Sequence, residues 1–138
     1  AQSRRRIEKR AAERIEARGV AVRYRLCGLL GLCQCRFSRW LAAANVSERG
    51  LCFHVRRRLW PGARLRLQLR FEGEGTVELL GRARWSGSAF RGGFRTGIAF
   101  EAAGPGRRRN AAEALERLRA LVAARAAQVR PGCDQGAT

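Results

Sequence analysis

The chain has 138 residues, 29 of them Lys or Arg and 11 Asp or Glu, for a formal net charge of +18, and 46% of its side chains are hydrophobic. That length fits one compact domain with a tail at each end, and the apolar content excludes a wholly disordered chain. The longest apolar run, from Leu26 to Cys33 with Gly28 and Gly31 inside it, falls far short of the ~20 residues that span a bilayer. The Arg-rich start has no apolar segment behind it to make a signal peptide, so neither membrane insertion nor secretion is expected.

Residues 1–18 are rich in Arg, Glu and Ala, and Ile7 and Ile15 alone do not make an apolar helix face. A flexible basic segment is expected there. From Val20 the apolar period becomes two: Val20, Val22, Tyr24 and Leu26 alternate with Ala21, Arg23 and Arg25, which predicts a half-buried strand. The glycine-containing stretch Cys27–Cys35 reads as an insertion. Phe37–Ala43 predicts a second strand and Asn45–Gly50 a polar turn. Leu51, Phe53 and Val55 predict the third strand. The fourth is the cleanest, with Leu65, Leu67, Leu69 and Phe71 on one face and Arg64, Arg66, Gln68 and Arg70 on the other. Val77, Leu79, Gly81, Ala83 and Trp85 form the fifth alternating set, and Phe94, Thr96, Ile98 and Phe100 the sixth.

Six short strands joined by Gly-rich turns predict a mainly β fold, a six-stranded antiparallel barrel over residues 19–103, a closure that removes exposed edges. Over 110–130 the period returns to that of a helix. Asn110 reads as its N-cap, with Glu113 three residues on as in a capping box. Leu115, Leu118, Val122 and Val129 share a face that is expected to pack across the barrel. Pro131-Gly132 is expected to stop the helix, leaving 131–138 as a tail.

The five cysteines (Cys27, Cys33, Cys35, Cys52 and Cys133) cannot all pair and form no repeating framework, so reduced thiols in a cytoplasm are expected. Cys33-x-Cys35 and Cys52-x-His54 are spaced more tightly than the CxxC-type pairs of structural zinc sites, and no metal or cofactor is expected. His54 is the sole histidine. With no nucleophile–base pair in evidence, the chain reads as a binding module and not an enzyme. Lys9 is the only lysine, so the positive field is carried by arginine. Guanidinium groups fork onto phosphate oxygens or a guanine edge and stack on bases, which makes an anionic partner the expectation.

Two short patterns stand out together. Arg10-Ala11-Ala12-Glu13-Arg14 is an RxxxR, and Asn45-Val46-Ser47-Glu48-Arg49-Gly50 fits [D/N]xSxxG. Alone, the first is one of several such spacings in an Arg-rich chain and the second an ordinary Asx-type turn. Followed by Gly50-Leu51-Cys52-Phe53, the Pro61-Gly62 turn, Gly81-Arg82-Ala83-Arg84-Trp85 and Thr96-Gly97-Ile98-Ala99-Phe100, the pair resembles the PilZ domain family over about Lys9 to Phe100. The resemblance implies a split-barrel receptor for the second messenger cyclic di-GMP, acting on a downstream protein target.

It also implies the ligand set: Arg10 and Arg14 from the N-terminal segment, and Asn45, Ser47 and Gly50 from the turn. Lys9, where many relatives carry arginine, and Trp85 at the end of a strand border the ligand as further candidates. Arginine meets guanine O6 and N7 through two parallel N–H bonds, the Asn45 amide offers one acceptor and two donors to a guanine edge, and Gly50 permits close backbone approach. The expected mechanism is a switch in which residues 1–18 order over the ligand. Two other readings use the same residues: a basic nucleic-acid-binding barrel, for which Arg64, Arg66 and Arg70 form a stripe, and a PilZ-like scaffold for protein contacts that does not bind cyclic di-GMP.

Overall fold

A computed structural model describes the backbone of residues 15–16, 18–28 and 36–137, and the side chains of 18–28 and 36–127. The elements in chain order are β1 (Ile15–Glu16), β2 (Val20–Leu26), β3 (Leu41–Val46), β4 (Gly50–Val55), β5 (Arg64–Phe71), β6 (Gly75–Ser88), β7 (Phe94–Phe100) and α1 (Ala112–Ala137). The sheet runs β3-β2-β5-β6-β7-β4, and β4 returns to pair with β3. Six antiparallel strands therefore close into the expected barrel. The two-residue β1 continues the edge of β3 beyond the start of β2, with Ile15 opposite Val46 and Glu16 opposite Asn45.

The alternation read from the sequence fills the barrel. Leu65, Leu67 and Leu69 of β5 are fully buried against Val22, Phe53, Leu79 and Ile98, each such side chain contributing about 1.5–3 kcal/mol on leaving water. β6 is long enough to serve two neighbours: its first half pairs with β5 and its second with β7. Because consecutive strands reverse direction, the loops sort to two ends. One end carries the 47–49 and 72–74 turns and the 101–111 segment. The other carries the 56–63 and 89–93 connections, with Leu59 buried as a plug. Helix α1 covers the first end. It buries Leu118 and Leu121, donates from Arg117 Nε to the Thr76 carbonyl at 2.8 Å, and pairs Arg119 with Glu48 at 3.3 Å.

Four local expectations are corrected. The second strand is Leu41–Val46, not Phe37–Ala43, and Asn45 lies on it, not in a turn. Residues 36–40 are held to β2 differently: the Ser38 N–H donates to the Tyr24 carbonyl at 2.7 Å, and the Tyr24 N–H donates to Ser38 Oγ at 3.1 Å. This lays Phe37 and Trp40 over the guanidinium groups of Arg23, Arg25 and Arg70, at 4.4–5.0 Å from the ring centroids. Asn110 is not the helix cap. Its side chain turns inward onto β6 and is 4% exposed. Helix α1 continues through Pro131-Gly132 to Ala137, since a proline removes one ladder bond and bends a helix without having to end it. Finally, Ile15–Glu16 is strand, so the N-terminal segment meets the sheet before residue 18; residues 1–14, the greater part of the expected flexible segment, lie outside the described residues.

Tyr24 packs its ring against Phe53, with centroids 5.5 Å apart. Burial lifts its hydroxyl pKa above the ordinary value of 10.0, and the Arg57 charge opposes the lift in part. The stability this represents is fully present below pH 10.0 and is lost as the pH rises through the native pKa, because the unfolded chain releases its proton first. Tyr24 is the sole tyrosine. Ultraviolet titration should therefore give a single phenolate midpoint that is higher in the native protein than in denaturant; coincident midpoints would contradict the assignment.

Candidate functional site

The bend between β3 and β4 is built by Ser47. Its N–H donates to the Gly50 carbonyl at 2.8 Å, and its Oγ accepts from the N–H groups of Arg49 and Gly50 at 3.2 and 3.3 Å. The Arg49 carbonyl accepts from the Phe100 N–H at 2.8 Å, which ties the bend to the end of β7. A Cβ at Gly50 would collide with the Ile98 carbonyl oxygen, so glycine is what lets β4 begin this close to β7. Ser47 and Gly50 thus shape the bend, and the close approach at Gly50 is to the barrel's own backbone. The Asn45 side chain makes no hydrogen bond to any described residue and faces a cavity beside the bend.

Two bulges set the rest of the site. One falls between Ala43 and Asn45 on β3, the other between Ala83 and Trp85 on β6. An extra residue in one strand of a pair re-aims the side chains that follow it. Val77, Leu79 and Ala83 of β6 point inward and are buried, as alternation requires. Continued without a bulge, Trp85 would point inward too. Instead its indole is 48% exposed and lies on the outer face over Gly97, where a Cβ would collide with it.

These features enclose a cavity of about 210 Å³ lined by Asn45, Ser47, Arg49, Gly50, Leu51, Cys52, Arg84, Trp85, Gly97, Ile98 and Ala99. Of the expected residues it brings together Asn45, Ser47, Gly50 and Trp85, and it adds Arg49 and Arg84, which the sequence reading missed. Both of these arginines are exposed and have no acidic partner among the described residues. No acid lines the cavity, and Glu48 of the bend turns away to Arg119. Cys52 is buried at the lining. Two guanidinium groups, an indole face and an unpaired amide suit an anion that carries a flat hydrogen-bonding ring. Lys9, Arg10 and Arg14 lie outside the described residues. The chain that carries them joins the sheet at Ile15, opposite Val46 and so one residue from Ser47.

The sequence carried a signal for one of the missed arginines, and the strand register explains the other. Arg49 occupies a variable position inside the [D/N]xSxxG pattern, and Arg84 precedes the tryptophan that a glycine, Gly97, faces across the strands. A larger hollow of about 880 Å³ lies by Trp40, Arg70 and the β5–β6 turn, but Glu72 and Glu74 line it and disfavour an anion there. Among the described residues no three His, Cys, Asp or Glu side chains group as a metal site, and no helix is long and apolar enough to cross a membrane.

No family model matches the chain, and no curated protein matches it. Among solved structures, it is similar to the Bacillus subtilis inhibitor of motility (MotI/DgrA), with a TM-score of 0.54 at 13% identity. The match covers 81% of this chain and 49% of that one, so the chain spans about half the length of its structural neighbour. At that identity the likeness concerns the fold, which it supports as PilZ-like.

Proposed function

We propose that the chain is a cyclic di-GMP receptor whose site is the cavity at the β3–β4 bend, completed by the N-terminal arginines. The observation that carries this reading is the indole of Trp85, turned outward by the β6 bulge to lie beside Asn45, Arg49 and Arg84 where no acid competes. Cyclic di-GMP offers two guanines and two phosphates. The indole takes a guanine face, Asn45 a guanine edge, and Arg49 and Arg84 a phosphate or guanine O6 and N7. Ser47 and Gly50 hold the bend. At about 210 Å³ the cavity is below the ~300–1,000 Å³ of a pocket for a drug-sized ligand, so it would take one part of the molecule. Arg10, Arg14 and Lys9 would take the rest.

The reading makes the protein a binding module with no chemistry of its own. Ligand orders the residues before Ile15, and a downstream protein target in the cytoplasm reads the ordered state. The pairing of Ile15 with Val46 supports the proximity this requires. Titration calorimetry with cyclic di-GMP is the test. Wild-type protein should bind, and Arg14→Ala, Arg10→Ala and Asn45→Ala should each weaken binding at least about tenfold, since one bidentate arginine–guanine contact is worth ~1–3 kcal/mol. Absence of binding, or an Arg14→Ala affinity equal to wild type, rejects the proposal. Hydrogen exchange over residues 1–14 that is unchanged by ligand rejects the ordering step.

A further inference from the structure

The two ends of the barrel differ in their acidic side chains. No Asp or Glu occurs between Glu16 and Glu48, between Glu48 and Glu72, or between Glu78 and Glu101. Glu48, Glu72, Glu74 and Glu101 therefore fall at the end covered by α1, where Glu113 and Glu116 also lie. The opposite end has no acid among its described residues. Its 56–63 connection presents Arg56, Arg57 and Arg58 to solvent, and its 89–93 hairpin tip presents Arg91. The same two loops hold the most exposed aromatic side chains of the described residues: Trp60 at 74% exposure and Phe90 fully exposed. They are fastened to one another's strands, because Val55 pairs with Phe94 and His54 Nε2 lies 2.7 Å from the Gly92 carbonyl.

Independently of the ligand reading, we propose that this acid-free end is a docking surface for an anionic lipid bilayer, with Trp60 and Phe90 entering the headgroup–acyl boundary and the flanking arginines on lipid phosphates. With no acid at this end, nothing there opposes the approach of its arginines to a negative plane. Two aromatic rings on separate protruding loops suit a deformable apolar layer, where Trp and Phe are favoured. A single nucleic-acid strand would instead need stacking platforms spaced along one groove. The association lies on the membrane and does not span it.

The test is co-sedimentation of the full chain with vesicles of phosphatidylcholine alone and of phosphatidylcholine mixed with phosphatidylglycerol, repeated at high salt. Binding is expected only to the anionic vesicles and should be lost in salt. Phe90→Ala should lower the partition coefficient roughly tenfold, and the combined Arg56→Gln, Arg57→Gln and Arg58→Gln variant on the order of a hundredfold. A vesicle-induced blue shift of tryptophan emission should be absent in Trp60→Ala. These side chains are exposed, and an unchanged unfolding midpoint would show that the variants fold. No association with anionic vesicles, equal association with neutral ones, or retention of a single-stranded oligonucleotide by these residues in place of vesicles overturns the proposal.

Discussion

Replacing Asn110 by alanine is expected to cost about 3 kcal/mol of stability and to lower the unfolding midpoint by on the order of ten degrees. Asn110 lies where β6 has lost β7 as a neighbour, since the β6–β7 pairing stops at Gly81 opposite Phe100. There the Leu80 N–H donates to Asn110 Oδ1 at 2.7 Å, and Nδ2 donates to the carbonyls of Leu80 and Glu101 at 2.9 and 2.8 Å. The amide therefore takes up the Leu80 N–H, joins the Glu101 N–H on the Leu80 carbonyl, and fastens the approach to α1 onto the barrel. Alanine would leave the Leu80 N–H unsatisfied at a buried position, where water does not readily replace the lost bond. The control is Asn110→Ser. Serine caps helices about as well as asparagine, so it would restore stability if capping were the role. It is too short to reach both groups of Leu80, so denaturant unfolding should find it nearly as damaged as the alanine variant. Recovery in Asn110→Ser would sink the argument.

Gly97→Ala is expected to weaken cyclic di-GMP binding by roughly ten- to a hundredfold with a smaller loss of stability than Asn110→Ala. The added methyl group would occupy the space of the Trp85 indole, which has open solvent to swing into. A displaced indole leaves the barrel core untouched but removes the stacking surface, and base–aromatic stacking is worth ~1–3 kcal/mol per base. Calorimetry on Gly97→Ala and Trp85→Ala should therefore give similar affinities, both below wild type. If Gly97→Ala binds as wild type does, Trp85 is not part of the ligand surface. If Gly97→Ala loses binding while Trp85→Ala keeps it, the glycine matters for the strand pairing and not for the ring.

Most of the barrel was legible because most of its strands obey a period of two without interruption. Leu65, Leu67 and Leu69 are buried and their neighbours are not, as the sequence predicts. The errors fall at the bulges. On β3 the extra residue between Ala43 and Asn45 breaks the alternation, so a polar residue inside a strand reads as a turn. On β6 the same device reverses the side of Trp85, which a strict period assigns to the core. Phe37 and Trp40 misled differently. Their apolar character is spent on covering arginines outside the barrel, and a hydrophobic pattern does not reveal which surface it covers. Trp60 and Phe90 likewise lie outside the core, at 74% and full exposure. Asn110 has the same sequence signature whether it caps a helix or reaches inward. In the site, Asn45, Ser47 and Gly50 were found through one contiguous motif, whereas Arg49 and Arg84 are united only by the closure of β4 onto β7.

The two-residue pairing of β1 with β3 has a kinetic consequence. Because Ile15 pairs with Val46, the contact proposed between the N-terminal arginines and the bend would be made within one chain, and groups joined by a short linker meet at an effective concentration in the millimolar range. A synthetic peptide carrying the same arginines, added to a chain cut before Ile15, would have to be supplied at about that level to take their place.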